Sequence, residues 1–291
     1  MPSLVLTLAA LASRLLPMPL KQAAYRLGPL TRLLRRALNR AAPTGLTEVS
    51  VTAGGLRGAR LLLDLQSEKD LWLGTYEPEL QAALREFAPA GATAFDVGAH
   101  IGYVSLLLAR AVAPGGQVFA FEPLPTNLDR LSRHIQLNQL ADRLHVVPAA
   151  VSDKSGRTRF LVHASGSMGK VEGSAGRADT YARHLEVDCL SLDDFVYSQG
   201  HPAPDLVKID IEGGEGLALM GMRHLLAERP PVLLIELHGP EAAVHVWQTI
   251  GAHGYRLHRL QRGYPAVEDV RELPWKAYVI ALPRGFERGR R

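Results

Sequence analysis

Residues Phe95–Ala109 read FDVGAHIGYVSLLLA, and the two halves of that stretch call for different structures. TAFDV (residues 93–97) is a short apolar run of the kind a buried strand makes, and from Gly102 to about residue 112 the apolar residues recur at helical spacing. Between them, Gly98 and Gly102 carry no Cβ, so the backbone can turn sharply and approach a ligand closely. The same alternation continues outward. Apolar runs at 117–121 (QVFAF), 144–151 (LHVVPAAV), 205–211 (DLVKIDI) and 231–237 (PVLLIEL) are separated by helical stretches at about 125–140, 215–227 and 240–251. Continuous apolar strands alternating with helices imply right-handed βαβ units and a mostly parallel, doubly wound α/β sheet.

Two interruptions and two flanks complete the pattern. RTRFLVH (157–163) and HLEVDCL (184–190) enclose a Gly/Ser-rich stretch at 164–180, which reads as a hairpin with a variable tip. GYRLHRL (254–260) and KAYVIAL (276–282) form a closing antiparallel pair. Residues 47–65, two β-rich runs around Gly54-Gly55, read as a further hairpin, followed by a helix from Pro78 to Phe87. The expected division is a basic helical extension (1–45), a hairpin and helix (46–90), the α/β domain (91–283) and a basic tail (284–291).

Composition bounds the function. The chain has 291 residues, 47 % of them hydrophobic and 21 % charged, which is globular usage rather than disordered or fibrous. No run of about 18 uncharged apolar residues suits a transmembrane helix. One cysteine, Cys189, excludes an intramolecular disulfide framework and a multi-cysteine metal site, and the histidines show no metal-ligand spacing, so no metal is expected. Residues 1–40 hold seven basic residues and no acid, and the last eight residues carry +3. Against a total of +4 the central body is therefore acidic, which argues against nucleic acid as a substrate. Within 1–40, Leu4, Leu8, Leu11 and Leu15 share a helical face, and a second leucine face runs from Leu20 to Leu38 opposite the basic residues. Such a segment lies on an anionic membrane surface, packs on its own domain, or is a targeting sequence, being acid-free and Arg-rich though poor in Ser. The expected location is cytoplasmic, with peripheral contact at the cytoplasmic face of a membrane.

The chemistry-bearing residues gather at strand ends. Ligands of doubly wound sheets bind outside the carboxyl ends of the strands, where the 98–102 loop lies. Glu122 ends the next strand, placed to accept ribose hydroxyls of a nucleoside. There is no GxGxxG and no GxxxxGK[ST], which disfavours nicotinamide and triphosphate readings. Lys208, Asp210 and Glu212 alternate along one strand until its turn, a costly arrangement in a buried strand unless paired or functional. At the end of the next strand, Glu236 and His238 share a face, and His238 is a candidate general base.

These motifs resemble the FkbM family of class I S-adenosylmethionine-dependent methyltransferases. The shared pattern comprises YEPEL (76–80), FDVGAHIGYVSLLLA (95–109), FAFEP (119–123), AAVSDKSG (149–156), KIDIEGGE (208–215) and IELHG (235–239), in order over roughly residues 70–260. The resemblance implies a seven-stranded Rossmann-like sheet with a C-terminal antiparallel strand. It implies that Asp96 and the Gly98–Gly102 backbone hold the methionine part of S-adenosylmethionine, with His100 (commonly Asn in the family) near its carboxylate. It places Glu122 on the ribose and Asp153, or the backbone of Val151 and Ser152, against the adenine. Asp210, Glu212 and His238 are then the catalytic candidates, and the reaction O-methylation of a sugar, glycan, lipid or secondary-metabolite hydroxyl. The rival readings are an NAD(P)-dependent oxidoreductase and a catalytically inactive, membrane-associated binding subunit.

Overall fold

The computed structural model describes residues 4–16, 36–164, 166, 168–177 and 181–286. The chain opens with α1 (Leu4–Leu15), a hairpin of β1 (Leu46–Ser50) and β2 (Arg60–Asp64), and two helices, α2 (Lys69–Leu73) and α3 (Pro78–Phe87). Strand and helix then alternate as β3 (Thr93–Val97), α4 (Tyr103–Ala111), β4 (Gln117–Phe121), α5 (Pro125–Leu137) and β5 (Leu144–Val147). Four strands follow: β6 (Ala150–Val151), β7 (Gly156–His163), β8 (Gly169–Val171) and β9 (Tyr181–Leu190). The alternation resumes with β10 (Leu206–Ile209), α6 (Glu215–Met220), α7 (Arg223–Glu228), β11 (Val232–His238) and α8 (Pro240–Ala252), and ends in β12 (Tyr255–Arg259) and β13 (Lys276–Pro283).

The central sheet has seven strands in the order β12-β13-β11-β10-β3-β4-β5. Strands β11, β10, β3, β4 and β5 pair in parallel, and β13 runs antiparallel between β11 and β12. This is the α/β, mostly parallel Rossmann-like sheet with a C-terminal antiparallel strand. Every residue of β3, β10 and β11 is buried, as strands covered on both faces must be. On one face Phe195 meets Phe95, Phe119 and Phe121 edge-on, with ring centroids 5.1–5.6 Å apart. Burying a side chain of that size stabilises the fold by roughly 1.5–3 kcal/mol. Cys189 is a buried member of the neighbouring apolar cluster around β7 and β9.

Three expectations are modified, each for a local reason. The run 144–151 divides, because Pro148 has no N–H for a ladder; β5 ends at Val147, and β6 pairs with β9 in a separate four-stranded sheet. The helix expected over 215–227 breaks into α6 and α7 at Gly221, where a Cβ would come within 2.1 Å of the Ser152 carbonyl oxygen. The β7–β9 hairpin forms, but its tip adds the short strand β8 on β7. The second leucine face, Leu20–Leu38, lies largely outside the described residues; 36–41 are helical.

Contacts group the chain into two compact units, Met1–Gln81 with Arg133–Gln139, and Ala82–Ser132 with Leu140–Arg291. In the first, α1 is held through buried Leu6 and through Ser13, whose hydroxyl is 2.5 Å from that of Thr52. Its other side exposes Leu4, Leu8, Leu11 and Leu15, at 74, 55, 49 and 71 %. Buried His134 accepts the Leu62 N–H in the same unit, tying the end of α5 to the hairpin. Among the described residues no helix is long and apolar enough to cross a membrane. The sheet and all the candidate site residues belong to the second unit.

Candidate active site

Strands β3 and β10 are neighbours, and from them the chain winds in opposite directions, through β4 to β5 and through β11 to the far edge. The carboxyl ends at such a reversal leave a crevice that accepts ligands. Gly98, just past β3, has φ +81°, and a Cβ there would stand 2.0 Å from the Asp210 carbonyl oxygen. Only glycine fits where the two chains pass this closely, and Asp210 N–H donates to the Val97 carbonyl at 3.0 Å across the same crossing.

Below the loop, Asp96 is fully buried. Its Oδ2 accepts the Ser105 hydroxyl at 2.5 Å, and its Oδ1 lies 3.2 Å from the Lys208 ammonium. Lys208 donates to the Gly98 carbonyl at 3.0 Å and stands 3.6 Å from Asp210 Oδ2. Both buried charges are thus paired, and together they brace the turn from beneath. His100 adopts φ +53°, a left-handed conformation that Asn and His tolerate better than most residues. That geometry turns its N–H onto Glu122 Oε2 at 2.9 Å. Glu122 Oε1 also accepts the Leu124 N–H at 2.9 Å and the Asn127 amide at 3.1 Å. Burial pushes the Glu122 carboxyl above its ordinary range, against the lowering effect of these three bonds and of Lys208. Asp153 lies in the turn after β6, half-buried, accepting a hydrogen bond from Ser152 Oγ at 3.0 Å.

On the other side of Gly98, four carboxylates surround one imidazole. Strand alternation ends at Asp210, because Glu212 (φ +54°) and Gly213 (φ +111°) form the turn into α6. Glu215 opens α6 and is wholly buried; its Oε1 accepts the Gly213 N–H at 3.0 Å and bonds His238 Nδ1 at 2.8 Å. His238 Nε2 faces Glu236 Oε1 at 3.4 Å, Asp210 Oδ1 at 3.8 Å and Glu212 Oε2 at 3.8 Å. Burial alone would lower the His238 pKa, but the Glu215 bond and the charges of Glu215, Asp210 and Glu212 outweigh it and hold the ring above its ordinary value. The surrounding carboxylates thus favour the charged form of the ring, and Asp210 and Glu212 face the same Nε2 from the more open side.

The structure therefore brings Asp96, Gly98, His100, Gly102 and Glu122 together on one side of the β3–β10 crossing and Asp210, Glu212 and His238 on the other. Five further residues join the site, of which the sequence reading noted only Glu236, beside His238 and without a role. Glu215, Glu236 and Lys276, the last against Glu236, complete the charge cluster. Trp275 packs edge-on to His238 with centroids 6.1 Å apart and carries the Arg177 guanidinium over its face. Lys170 is buried and donates to the carbonyls of Ser174, Ala175 and Arg177, at 3.2, 2.6 and 2.9 Å. It fixes this short loop against the Glu212–Gly213 turn, where a Gly213 Cβ would come within 2.1 Å of Ala175 O. Only the acids Glu215 and Glu236 had a signal in the sequence, as part of KIDIEGGE and IELHG.

The methyltransferase FkbM domain model matches residues 96–257, from the buried aspartate of β3 to the middle of β12. The chain belongs to the FkbM methyltransferase family. Among its relatives is the 31-O-demethyl-FK506 methyltransferase FkbM of Streptomyces tacrolimicus, 28 % identical over 192 residues, covering 57 % of this chain and 73 % of the relative. The hexuronic acid methyltransferase AglP of Haloferax volcanii is 29 % identical over 170 residues, covering 56 % of this chain and 62 %, under two thirds, of the relative. A solved structure of an FkbM methyltransferase from Methylobacillus flagellatus KT aligns with a TM-score of 0.48 at 20 % identity, over 76 % of this chain and 56 % of that one.

The donor set suits the S-adenosylmethionine of the FkbM family. A carboxylate offers about four lone-pair positions. Glu122 spends three of them on His100, Leu124 and Asn127, leaving acceptor capacity for a ribose hydroxyl. The acid-rich end of β10 suits a cationic sulfonium.

Proposed function

We propose that the protein transfers a methyl group from S-adenosylmethionine to a hydroxyl oxygen of a sugar, glycan, lipid or secondary metabolite. The observation that carries this reading is the pairing, across one backbone crossing, of a glycine turn backed by Glu122 with the partly exposed carboxylates of Asp210 and Glu212. The relatives' names, one a 31-O-demethyl-FK506 methyltransferase and the other a hexuronic acid methyltransferase, support an oxygen acceptor. The sulfonium cofactor supplies an activated methyl group when bound, so the side chains have to align the acceptor and take its proton. In this reading the 98–102 backbone and Glu122 hold the amino-acid and ribose parts, and Asp153 with Val151 and Ser152 lies toward the adenine. Asp96 and Lys208 act from beneath by holding the turn. Asp210 and Glu212 bind the hydroxyl and receive its proton, and His238, fixed through Nδ1 by Glu215, orients both.

The test couples calorimetry of S-adenosylmethionine and NAD⁺ with mass spectrometry of cells with and without the gene, read for a product heavier by one CH₂. Asp210→Asn should lower turnover by about 10²–10⁴, the range for losing a proton acceptor, with cofactor affinity unchanged. Binding of NAD⁺ in place of S-adenosylmethionine would overturn the reading.

The outward leucines of α1 support a further part of it. One face of α1 is tied to the first unit through Leu6 and Ser13, while Leu4, Leu8, Leu11 and Leu15 point away from it. With seven basic residues and no acid in 1–40, that stripe suits the surface of an anionic membrane.

A further inference from the structure

We propose that Asp210, Glu236 and His238 form a binding site for one divalent cation of the Mn²⁺ or Zn²⁺ type. The deciding group is the imidazole. Its ring is 2 % exposed, Nδ1 is taken by Glu215 at 2.8 Å, and Nε2 points at the carboxylates without hydrogen-bonding any of them. The nearest oxygens stand 3.4 Å (Glu236), 3.8 Å (Asp210) and 3.8 Å (Glu212) away. An N–H···O bond would bring one of them to about 2.9–3.0 Å. Donors that share a small cation, each about 2.0–2.2 Å from it, stand roughly 3–3.5 Å from one another. One donor atom from each of Asp210, Glu236 and His238 lies within 4.8 Å of the others, so small side-chain rotations complete the set.

Two observations independent of that spacing point the same way. Metal-bound histidines usually give their second ring nitrogen to a buried carboxylate, which fixes ring and tautomer. Glu215, fully buried and itself held by the Gly213 N–H, does this for His238. Glu236 is 1 % exposed, and the contact its Oε1 makes outside the cluster is with Lys276. Its charge is met by the Lys276 ammonium, whose side chain is half-exposed and can swing into solvent. One imidazole with two carboxylates is a mixed nitrogen–oxygen set, which suits Mn²⁺ or Zn²⁺ better than Ca²⁺. Asp210, 21 % exposed, lies on the open side, where remaining coordination positions would meet an incoming oxygen. Holding the acceptor hydroxyl there is a consequence that rests on the methyltransferase reading; binding of the cation does not.

The test titrates chelator-treated full-length protein with Mn²⁺, counting free ion by electron paramagnetic resonance and following quenching of tryptophan fluorescence. Trp275 packs on His238, so a paramagnetic ion there should quench it. One saturable Mn²⁺ per chain, displaced by Zn²⁺, is expected. Asp210→Asn and His238→Asn should each weaken it at least tenfold. Trp275→Phe should remove the quenching but keep the binding, and Lys276→Gln should bind as tightly as wild type or tighter. Absence of saturable binding overturns the proposal, and so does wild-type affinity in folded Asp210→Asn, a change at a partly exposed position. Calorimetry of S-adenosylmethionine on the same samples shows separately whether the cofactor reading stands.

Discussion

Replacing Glu122 by Gln separates the two tasks of that carboxylate, holding the glycine turn and binding the cofactor. Glu122 receives three donors, the N–H groups of His100 and Leu124 and the Asn127 amide. Gln keeps the shape but offers one acceptor oxygen and turns an NH₂ toward at least one donor. Hydrogen bonds to charged groups contribute about 1.5–3 kcal/mol against about 0.5–1.5 for neutral ones, and leaving a buried donor unsatisfied costs about 1–3 kcal/mol. Relief from burying a charge offsets part of that loss, since burial already raises the Glu122 pKa. The net effect on folding should therefore be small. The ribose contact has no such offset, so affinity for S-adenosylmethionine should fall by about 1–3 kcal/mol, roughly 5- to 150-fold. The pH dependence follows from the direction of the shift. A carboxyl with a raised folded-state pKa adds stability below its unfolded value and loses it as pH rises through the raised one. Wild type should show that decline as pH rises above the ordinary carboxyl range, and Glu122→Gln should not. Calorimetry and chemical denaturation at several pH values measure both quantities. Cofactor affinity within twofold of wild type in a folded Glu122→Gln would refute the role given to Glu122.

Two other outcomes are expected. Lys170→Met removes the donor to three loop carbonyls over the Glu212–Gly213 turn, so the acceptor KM should rise several-fold while cofactor affinity holds; steady-state kinetics with varied acceptor and calorimetry separate the two. Leu8→Ser with Leu11→Ser, both on the exposed face of α1, should abolish co-sedimentation with anionic liposomes without lowering Tm, and binding equal to wild type would remove α1 from any membrane contact.

The sheet was legible because its signal is local. Five apolar runs separated by helical periodicity specify buried parallel strands, and glycines at 98 and 102 specify a turn that no other residue makes as cheaply. The strand boundaries of β3, β4 and β11 agree with their runs to within one residue, since a buried strand ends where polar or turn residues begin. Motif order carried the cofactor side as well, with Glu122 ending β4 and Asp210 immediately after β10. The division of labour among these residues was not legible. Asp96 and Lys208 look alike in sequence to ligand-binding charges, yet pairing across β3 and β10, 112 positions apart in the chain, turns them inward to support the loop. At position 100 the positive φ turns the N–H of His100 onto Glu122, a contact that no sequence pattern announces. Glu215 and Lys276 meet His238 and Glu236 only because α6 and β13 pack on β11, and Lys170 reaches its three carbonyls only through the folded tip after β8. Periodicity is set by near neighbours and survives in one dimension. The pairing of buried charges is decided by whichever distant element supplies the opposite charge or donor, and only the packed chain determines that.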